Sequence, residues 1–87
     1  MARFSLTFRE SVAKDLRALP KADVKRILRR IDALAEDPRA EGCEKLAGSD
    51  CYRVRQGMYR IIYQIRDEIL VVVVVKVGHR RDVYRGI

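Results

Sequence analysis

Hydrophobic and polar residues alternate at the start of the chain, where Phe4, Leu6 and Phe8 are separated by Ser5 and Thr7. A period of two is typical of a strand with one buried face, so the first predicted element is a β-strand. Thr7 also fits a second pattern, because a threonine followed three residues later by a glutamate can form a capping box at a helix start. The strand and the capping box compete for Thr7.

Two amphipathic patterns follow, and each predicts a helix. In both, apolar residues recur at spacings of three and four, which gathers them on one helical face. These positions are Val12, Leu16 and Leu19 in the first helix, and Val24, Ile27, Leu28, Ile31 and Leu34 in the second. Pro20 separates the two patterns and Pro38 follows the second, and proline interrupts a helix interior. The two helices therefore form an αα-hairpin.

The second half of the chain predicts three strands. Residues 39–50 combine glycine, alanine and mixed charges, which indicates a loop. Strand-like segments follow at residues 51–55, 58–65 and 69–77, and they are separated by short turn-like segments. The close spacing predicts an antiparallel meander. Because residues 69–75 are all apolar, the third strand is expected to be central, with both of its faces buried.

These elements have the order β-α-α-β-β-β and indicate an α+β fold, an antiparallel sheet with the two-helix hairpin packed on one face. The opposite face of the sheet is then available for function. A length of 87 residues suits a single domain over residues 1–87. Hydrophobic residues make up 48% of the chain and charged residues 36%, a balance that favours a globular protein over a disordered one.

The charge of the chain narrows the choice of partners. It contains 19 Lys+Arg against 12 Asp+Glu, a formal net charge of +7, which favours nucleic acid or an acidic protein. No membrane partner is expected, because the apolar run at residues 69–75 is too short to span a bilayer. No signal pattern is found at the N-terminus, so the expected compartment is the cytoplasm. Cys43, Cys51 and one histidine cannot provide four zinc ligands, so no metal or other cofactor is expected.

Strand alternation separates the arginines of the predicted meander from its apolar residues. Arg53 and Arg55 share one face of their strand. In the next strand, Arg60 lies opposite the set that suits a core, which is Tyr59, Ile61, Tyr63 and Ile65. Arg60 is therefore expected on the open face, beside Arg53 and Arg55.

A run of chemically active residues follows the third strand after Gly78. It consists of His79, Arg80, Arg81, Tyr84 and Arg85. An arginine fork matches phosphate oxygens and an aromatic ring stacks on a base, so the run suits RNA. We expect it to fold over the open face and to form one site with the strand arginines. A two-metal nuclease is not indicated, because that chemistry requires a cluster of carboxylate ligands.

Three segments together resemble the RelE toxins of the RelE/ParE superfamily, which belong to type II toxin–antitoxin systems. The segments are DCYRVR at 50–55, GMYRIIYQ at 57–64 and VGHRRDVY at 77–84. The resemblance implies a toxin that enters the ribosomal A site and cuts the bound mRNA without a metal. In that reaction the ribose 2′-hydroxyl attacks the adjacent phosphate and leaves a 2′,3′-cyclic phosphate and a 5′-hydroxyl. It also implies a cognate antitoxin with an amphipathic helix and acidic residues.

The same resemblance implies roles for individual residues. Arg60 matches an arginine that stabilises the transition state, and Arg80 matches a second arginine that contacts the phosphate and assists the leaving oxygen. Tyr84 matches a tyrosine that contacts or stacks on the mRNA. RNA binding is further expected of four arginines, namely Arg53, Arg55, Arg81 and Arg85, and Arg53 and Arg55 are also candidates for the catalytic site.

His79 is a further catalytic candidate because of a departure from the family. Arg53 and Arg55 stand where the best-studied relatives have two lysines, one of them proposed as the general base. A guanidinium keeps its proton at neutral pH and is a poor proton acceptor. Imidazole titrates in the physiological range, so His79 is a hypothesis for the acid or base. The alternative is that His79 is a hydrogen-bonded surface histidine near the site.

Two other functions remain open at this point. A ParE-like toxin would share the fold but inhibit DNA gyrase by binding, although such relatives usually lack the C-terminal arginines and tyrosine. A catalytically weakened member that only binds RNA is the other alternative, because the expected lysines are missing.

Overall fold

In the computed structural model, which describes residues 3–82, two helices pack on one face of a five-stranded sheet. The elements are β1 (Ser5–Phe8), α1 (Glu10–Arg17), α2 (Lys21–Glu36), β2 (Cys43–Lys45), β3 (Cys51–Gln56), β4 (Tyr59–Arg66) and β5 (Val71–His79), with a 3-10 turn at Asp67–Ile69. The predicted α+β class is therefore confirmed, as is the packing of the hairpin on one face of the sheet.

The start of α1 resolves the competition for Thr7. Thr7 pairs with Val73 as part of β1, so this residue belongs to the strand. The residue before the helix is Arg9, whose backbone is extended and whose N–H donates to the Val74 carbonyl at 3.0 Å. The capping box does not form, because pairing with β5 satisfies the backbone that the cap would use.

Each predicted helix buries part of the apolar stripe that predicted it, whereas Leu28 of α2 is 41% exposed and Leu19 lies beyond the end of α1. Val12 of α1 and Ile27, Ile31 and Leu34 of α2 are each at most 1% exposed and belong to the main core. In the described part of the chain, no helix has both the length and the apolar character needed to cross a membrane.

The sheet differs from the predicted one in two respects. Its strand order is β1-β5-β4-β3-β2, and β3, β4 and β5 form the predicted antiparallel meander. However, β1 runs parallel to β5, so the sheet is mixed and the expectation of an antiparallel sheet is wrong for this edge. Alternation in β1 identifies the side on which Phe4 and Leu6 pack against the core, although Phe8 is 43% exposed, and it contains no information on the direction of the strand. The predicted loop also contains β2, which pairs with β3 and is too short, at three residues, to show a period.

A β-bulge changes the facing of side chains within β5. The pairing shifts between Ile62 and Tyr63 of β4, and one extra residue of β5 lies opposite them. As a result, Val74 and Val77 both point into the core although they are three residues apart. Val75 instead packs beside Ile62 on the open face and is only half-buried. β5 is an interior strand between β1 and β4, but the expectation that both of its faces are buried is wrong, since only its helix-facing side is fully buried. Ile69 and Leu70 precede the strand and are 65% and 40% exposed.

The side chain of Tyr63 is the largest in the core and is fully buried. Its ring stacks on Tyr52 with centroids 5.8 Å apart, and its hydroxyl donates to the Pro38 carbonyl at 2.6 Å. Arg39, the next residue, lies over the Tyr52 ring at 5.6 Å and donates two hydrogen bonds of 2.8 Å to Asp67. The segment after α2 is thereby attached both to the core and to the β4–β5 turn.

We expect Tyr63→Phe to lower the free energy of unfolding by about 1–2 kcal/mol, because it leaves the Pro38 carbonyl without its donor inside the protein. Urea denaturation followed by circular dichroism measures this. The slope of the transition serves as the control, since it should match that of the wild type. An unchanged midpoint would contradict the assigned hydrogen bond.

A related prediction concerns alkaline pH. Burial raises the pKa of the Tyr63 phenol above its ordinary value. The folded state therefore keeps a proton that the unfolded state releases above a pH of about 10, so this contribution to stability is lost as pH rises past that value. Unfolding free energies measured across this range should fall more steeply for the wild type than for Tyr63→Phe. Parallel curves for the two proteins would contradict the prediction.

Candidate nucleic-acid interface

Three arginines project from neighbouring positions on the open face of the sheet. Arg55 pairs directly with Arg60, and Arg53 pairs with Ile62, so the three side chains share one side. Together with Gly42 and Glu44 they line a cleft of about 270 Å³. The predicted placement of these arginines is confirmed, because the aromatic and apolar residues that alternate with them occupy the core.

The cationic side chains of this cleft are only partly neutralised. The Arg53 guanidinium donates to the Glu44 carboxylate at 2.8 Å, and this hydrogen bond, aided by the positive charge, lowers the pKa of Glu44. Arg55 and Arg60 lie directly opposite each other, an arrangement in which like charges repel. Within residues 3–82, the buried Nη1 of Arg60 has no hydrogen-bond acceptor. An anion such as a phosphate bound beside Arg55 and Arg60 would reduce the repulsion.

The bulge places two further residues on this face. Lys76 pairs with Ile62 and Gly78 pairs with Arg60, so both face the cleft side of the sheet. Without the bulge, strict alternation from Val72 and Val74 would have placed Lys76 and Gly78 on the helix-facing side. Lys76 is therefore a cation that sequence reasoning missed, and Gly78 leaves the neighbouring position of Arg60 without a side chain.

The described part of the C-terminal run begins at the same end of the sheet. The Arg80 N–H donates to the Met58 carbonyl at 2.9 Å, which holds the residue next to the β3–β4 turn. Arg55 and Arg60 flank that same turn. The side chains of Arg80 and Arg81 are exposed. Tyr84 and Arg85 lie outside the described residues.

The structure does not bring His79 together with the arginines. His79 pairs with Tyr59, and the two rings meet edge to face, with centroids 6.3 Å apart and planes at 86°. Tyr59 belongs to the helix-facing side, since its hydroxyl donates to Asp23 of α2 at 2.8 Å. The prediction that the imidazole joins the arginine face is therefore wrong. The reason is that β5 continues through His79 instead of ending at Val77, so His79 pairs with Tyr59 on the helix-facing side and does not fold over the open face.

His79 instead fits the alternative of a hydrogen-bonded histidine near the site. Its Nδ1 accepts a hydrogen bond from the Arg81 N–H at 3.2 Å. The spacing of two between Val77 and His79 is a sequence signal for this placement, because residues two apart in a strand share a face and Val77 is buried.

The open face is suited to holding a polyanion. Its cations come from three adjacent strands, and phosphates of an extended backbone could contact several of them at once. In the part of the chain that the structure describes, no three His, Cys, Asp or Glu side chains are grouped so as to hold a metal ion.

Comparison with known proteins adds independent information. Residues 6–84 match the family described as the ParE toxin of the type II toxin–antitoxin system parDE. The chain is 35% identical over 82 residues to the mRNA interferase toxin RelE of Escherichia coli K12, an alignment that covers 92% of this chain and 85% of that protein.

Two solved structures share the fold. The toxin–antitoxin complex RelBE2 of Mycobacterium tuberculosis contains a chain that superposes with a TM-score of 0.81 at 26% identity, covering 90% of this chain and 99% of that one. A chain of the intact E. coli RelBE complex superposes with a TM-score of 0.77 at 34% identity, covering 87% of this chain and 95% of the other. The α+β fold described above is thus also found in proteins of this class.

We expect Glu44→Gln to tighten the binding of a short RNA oligonucleotide by about threefold to tenfold, because it removes the carboxylate that competes with phosphate for Arg53. Fluorescence anisotropy at a fixed salt concentration measures the affinity. The matched control is Glu68→Gln, which makes the same change in net charge at the exposed β4–β5 turn, the opposite end of the sheet. Equal effects of the two variants would indicate a response to net charge alone.

Proposed function

The chain belongs to the ParE toxin family of type II toxin–antitoxin systems and is a RelE-type member of the RelE/ParE superfamily, and on this premise we propose that it is a ribosome-dependent mRNA interferase acting in the cytoplasm. The observation that carries the proposal is the cationic cleft of the open face, where Arg53, Arg55 and Arg60 lie together and one guanidinium nitrogen of Arg60 has no acceptor among the described residues. A DNA-gyrase inhibitor needs a binding surface, whereas a phosphodiester cleavage needs positive charge held where the transition state becomes more negative.

In the proposed reaction the 2′-hydroxyl of one nucleotide loses its proton and attacks the adjacent phosphorus. The bond to the 5′-oxygen of the next nucleotide breaks, and that oxygen takes up a proton. The products are a 2′,3′-cyclic phosphate and a 5′-hydroxyl. The five-coordinate transition state at phosphorus carries more negative charge on the phosphoryl oxygens than the substrate does. A fixed guanidinium therefore stabilises the transition state more than the substrate.

The residues of this chain take the following parts in the proposal. Arg60 contacts the reacting phosphate, since it lines the cleft directly opposite Arg55 and is held on the strand that bears the main core residues. Arg80 assists the departing oxygen from the same end of the sheet. Arg53 and Arg55 hold the flanking phosphates, and Arg81 and Arg85 bind the RNA backbone further along. Tyr84 stacks on a base of the mRNA.

His79 is left out of the chemical step. A proton-transfer group must come within hydrogen-bond reach of the atom it serves. The His79 ring contacts Tyr59 on the helix-facing side, and its Nδ1 is occupied by the Arg81 amide.

A cognate antitoxin completes the proposed system. The RelBE complexes of E. coli and M. tuberculosis pair a toxin of this fold with an antitoxin. For this chain we propose a RelB-like protein with an amphipathic helix and acidic residues, which would neutralise the cationic face while the toxin is held inactive. The ribosome and its mRNA are the proposed targets of the free toxin.

Gyrase inhibition is the second candidate function, because the matching family is described by the name ParE. One experiment separates the two. Purified toxin is added to a translating extract and the mRNA ends are mapped by primer extension. The interferase proposal expects breaks at fixed positions within codons, only in the presence of ribosomes. Intact mRNA together with inhibited DNA supercoiling would favour the ParE activity.

Within that assay we expect Arg60→Gln to reduce the cleavage rate by a factor of about 100 or more, the size of effect found when a donor to a transition-state oxyanion is removed. The matched control is Arg29→Gln, which removes one exposed arginine from α2. Both variants lose one positive charge, so a comparable loss in the two would contradict a specific role for Arg60.

A further inference from the structure

The turn that carries Arg80 and Arg81 is held by three backbone donors. The Arg80 N–H donates to the Met58 carbonyl at 2.9 Å and the Asp82 N–H donates to the His79 carbonyl at 2.9 Å. The third donor is the Arg81 N–H, and its acceptor is the His79 side chain, at 3.2 Å from Nδ1. A side chain therefore supplies an acceptor that the backbone of this turn does not supply.

The acceptor is itself held in place. The His79 ring lies edge-on to the Tyr59 ring, and the Tyr59 hydroxyl donates to the Asp23 carboxylate at 2.8 Å. This hydrogen bond, with burial as a smaller cause, raises the pKa of Tyr59, so the phenol remains a neutral donor. The imidazole thus rests on a ring that is attached to α2, and its orientation is set from the helix-facing side of the sheet.

From these contacts we infer that His79 is a positioning residue, one that fixes the turn bearing Arg80 and Arg81 beside the β3–β4 turn, at the end of the sheet where Arg55 and Arg60 lie. The inference rests on the proposed function, because positioning is defined relative to the RNA that these arginines would bind. A neutral imidazole has one ring nitrogen able to accept a hydrogen bond, and here the Arg81 amide occupies it. His79 then contributes to cleavage through Arg80 and Arg81, without touching the reacting atoms.

Two substitutions separate positioning from proton transfer. His79→Asn keeps an acceptor close to the position of Nδ1, since an asparagine oxygen commonly accepts from the N–H two residues onward. It cannot act as an acid or base near neutral pH. His79→Leu keeps a side chain of moderate size and removes the acceptor. Circular dichroism and urea denaturation verify that both variants are folded.

The first readout is made on the free toxin and is independent of RNA. Amide hydrogen exchange at Arg81 should be about fivefold faster in His79→Leu than in the wild type, the factor expected when one ordinary hydrogen bond is lost. The same amide in His79→Asn should exchange within about twofold of the wild type, because its acceptor is kept. Equal exchange in the two variants would overturn the assigned contact.

The second readout is single-turnover cleavage of mRNA on programmed ribosomes. For His79→Leu, the rate at saturating toxin should fall by about tenfold while the half-saturating concentration changes by less than about twofold, because the arginines are present but misplaced. His79→Asn should retain most of the wild-type rate and the same pH profile. A His79→Asn variant as slow as His79→Leu, or one that loses a limb of the pH profile, would overturn the inference in favour of proton transfer.

The two proposals fail in different ways. A wild-type chain that cuts no mRNA on ribosomes would overturn the interferase function, whatever the variants do. A wild-type chain that cuts mRNA, with no rescue by asparagine, would overturn only the role given to His79.

Discussion

The burial of Ile61 and Tyr63 beneath the helical hairpin is the constraint on which the rest of the structure depends. Both side chains are fully buried and belong to β4, the central strand of the sheet. Because strand side chains alternate, fixing these two on the inside fixes Arg60 on the outside. Pairing with β3 then aligns Arg55 with Arg60, and like charges are held together on the open face. Each large apolar side chain that is buried contributes about 1.5–3 kcal/mol, enough to offset the repulsion between partly solvated guanidinium groups.

The sequence was sufficient to predict those features that depend on periodicity. The apolar stripes of α1 and α2, the meander of β3 to β5 and the facing of Arg53, Arg55 and Arg60 all follow from repeats long enough to be recognised. Features without a periodic signature were not predicted. The direction of β1 depends on the path of the chain through the helices, and β2 contains only three residues. The bulge in β5 lies within a run of five valines, Val71 to Val75, where every residue suits either face and no polar residue marks the change.

The proposed site has two parts, the cleft and the C-terminal turn, and they are held in place in different ways. The cleft arginines are carried on strands whose positions are fixed by the core, so their geometry does not depend on the remainder of the site. Arg80 and Arg81 follow the end of β5 and are held by a few hydrogen bonds, of which one comes from an imidazole. A core-supported cleft favours a fixed charge distribution. A turn attached by few bonds is more easily displaced by a bound protein.

The bulge between Ile62 and Tyr63 also affects how chains of this fold are to be compared. Before the bulge, the even-numbered residues Val72 and Val74 face the helices, whereas after it the odd-numbered Val77 and His79 do. A relative with a strand of the same length but no bulge would keep the same apparent motif and present it to the opposite side, whereas a relative that lacked the bulged residue would present it to the same side. The presence of the bulge therefore decides which residues of β5 are equivalent in space. A histidine aligned with His79 without a gap in a strand that has no bulge would lie on the open face, and the two histidines would share an alignment column without sharing an environment.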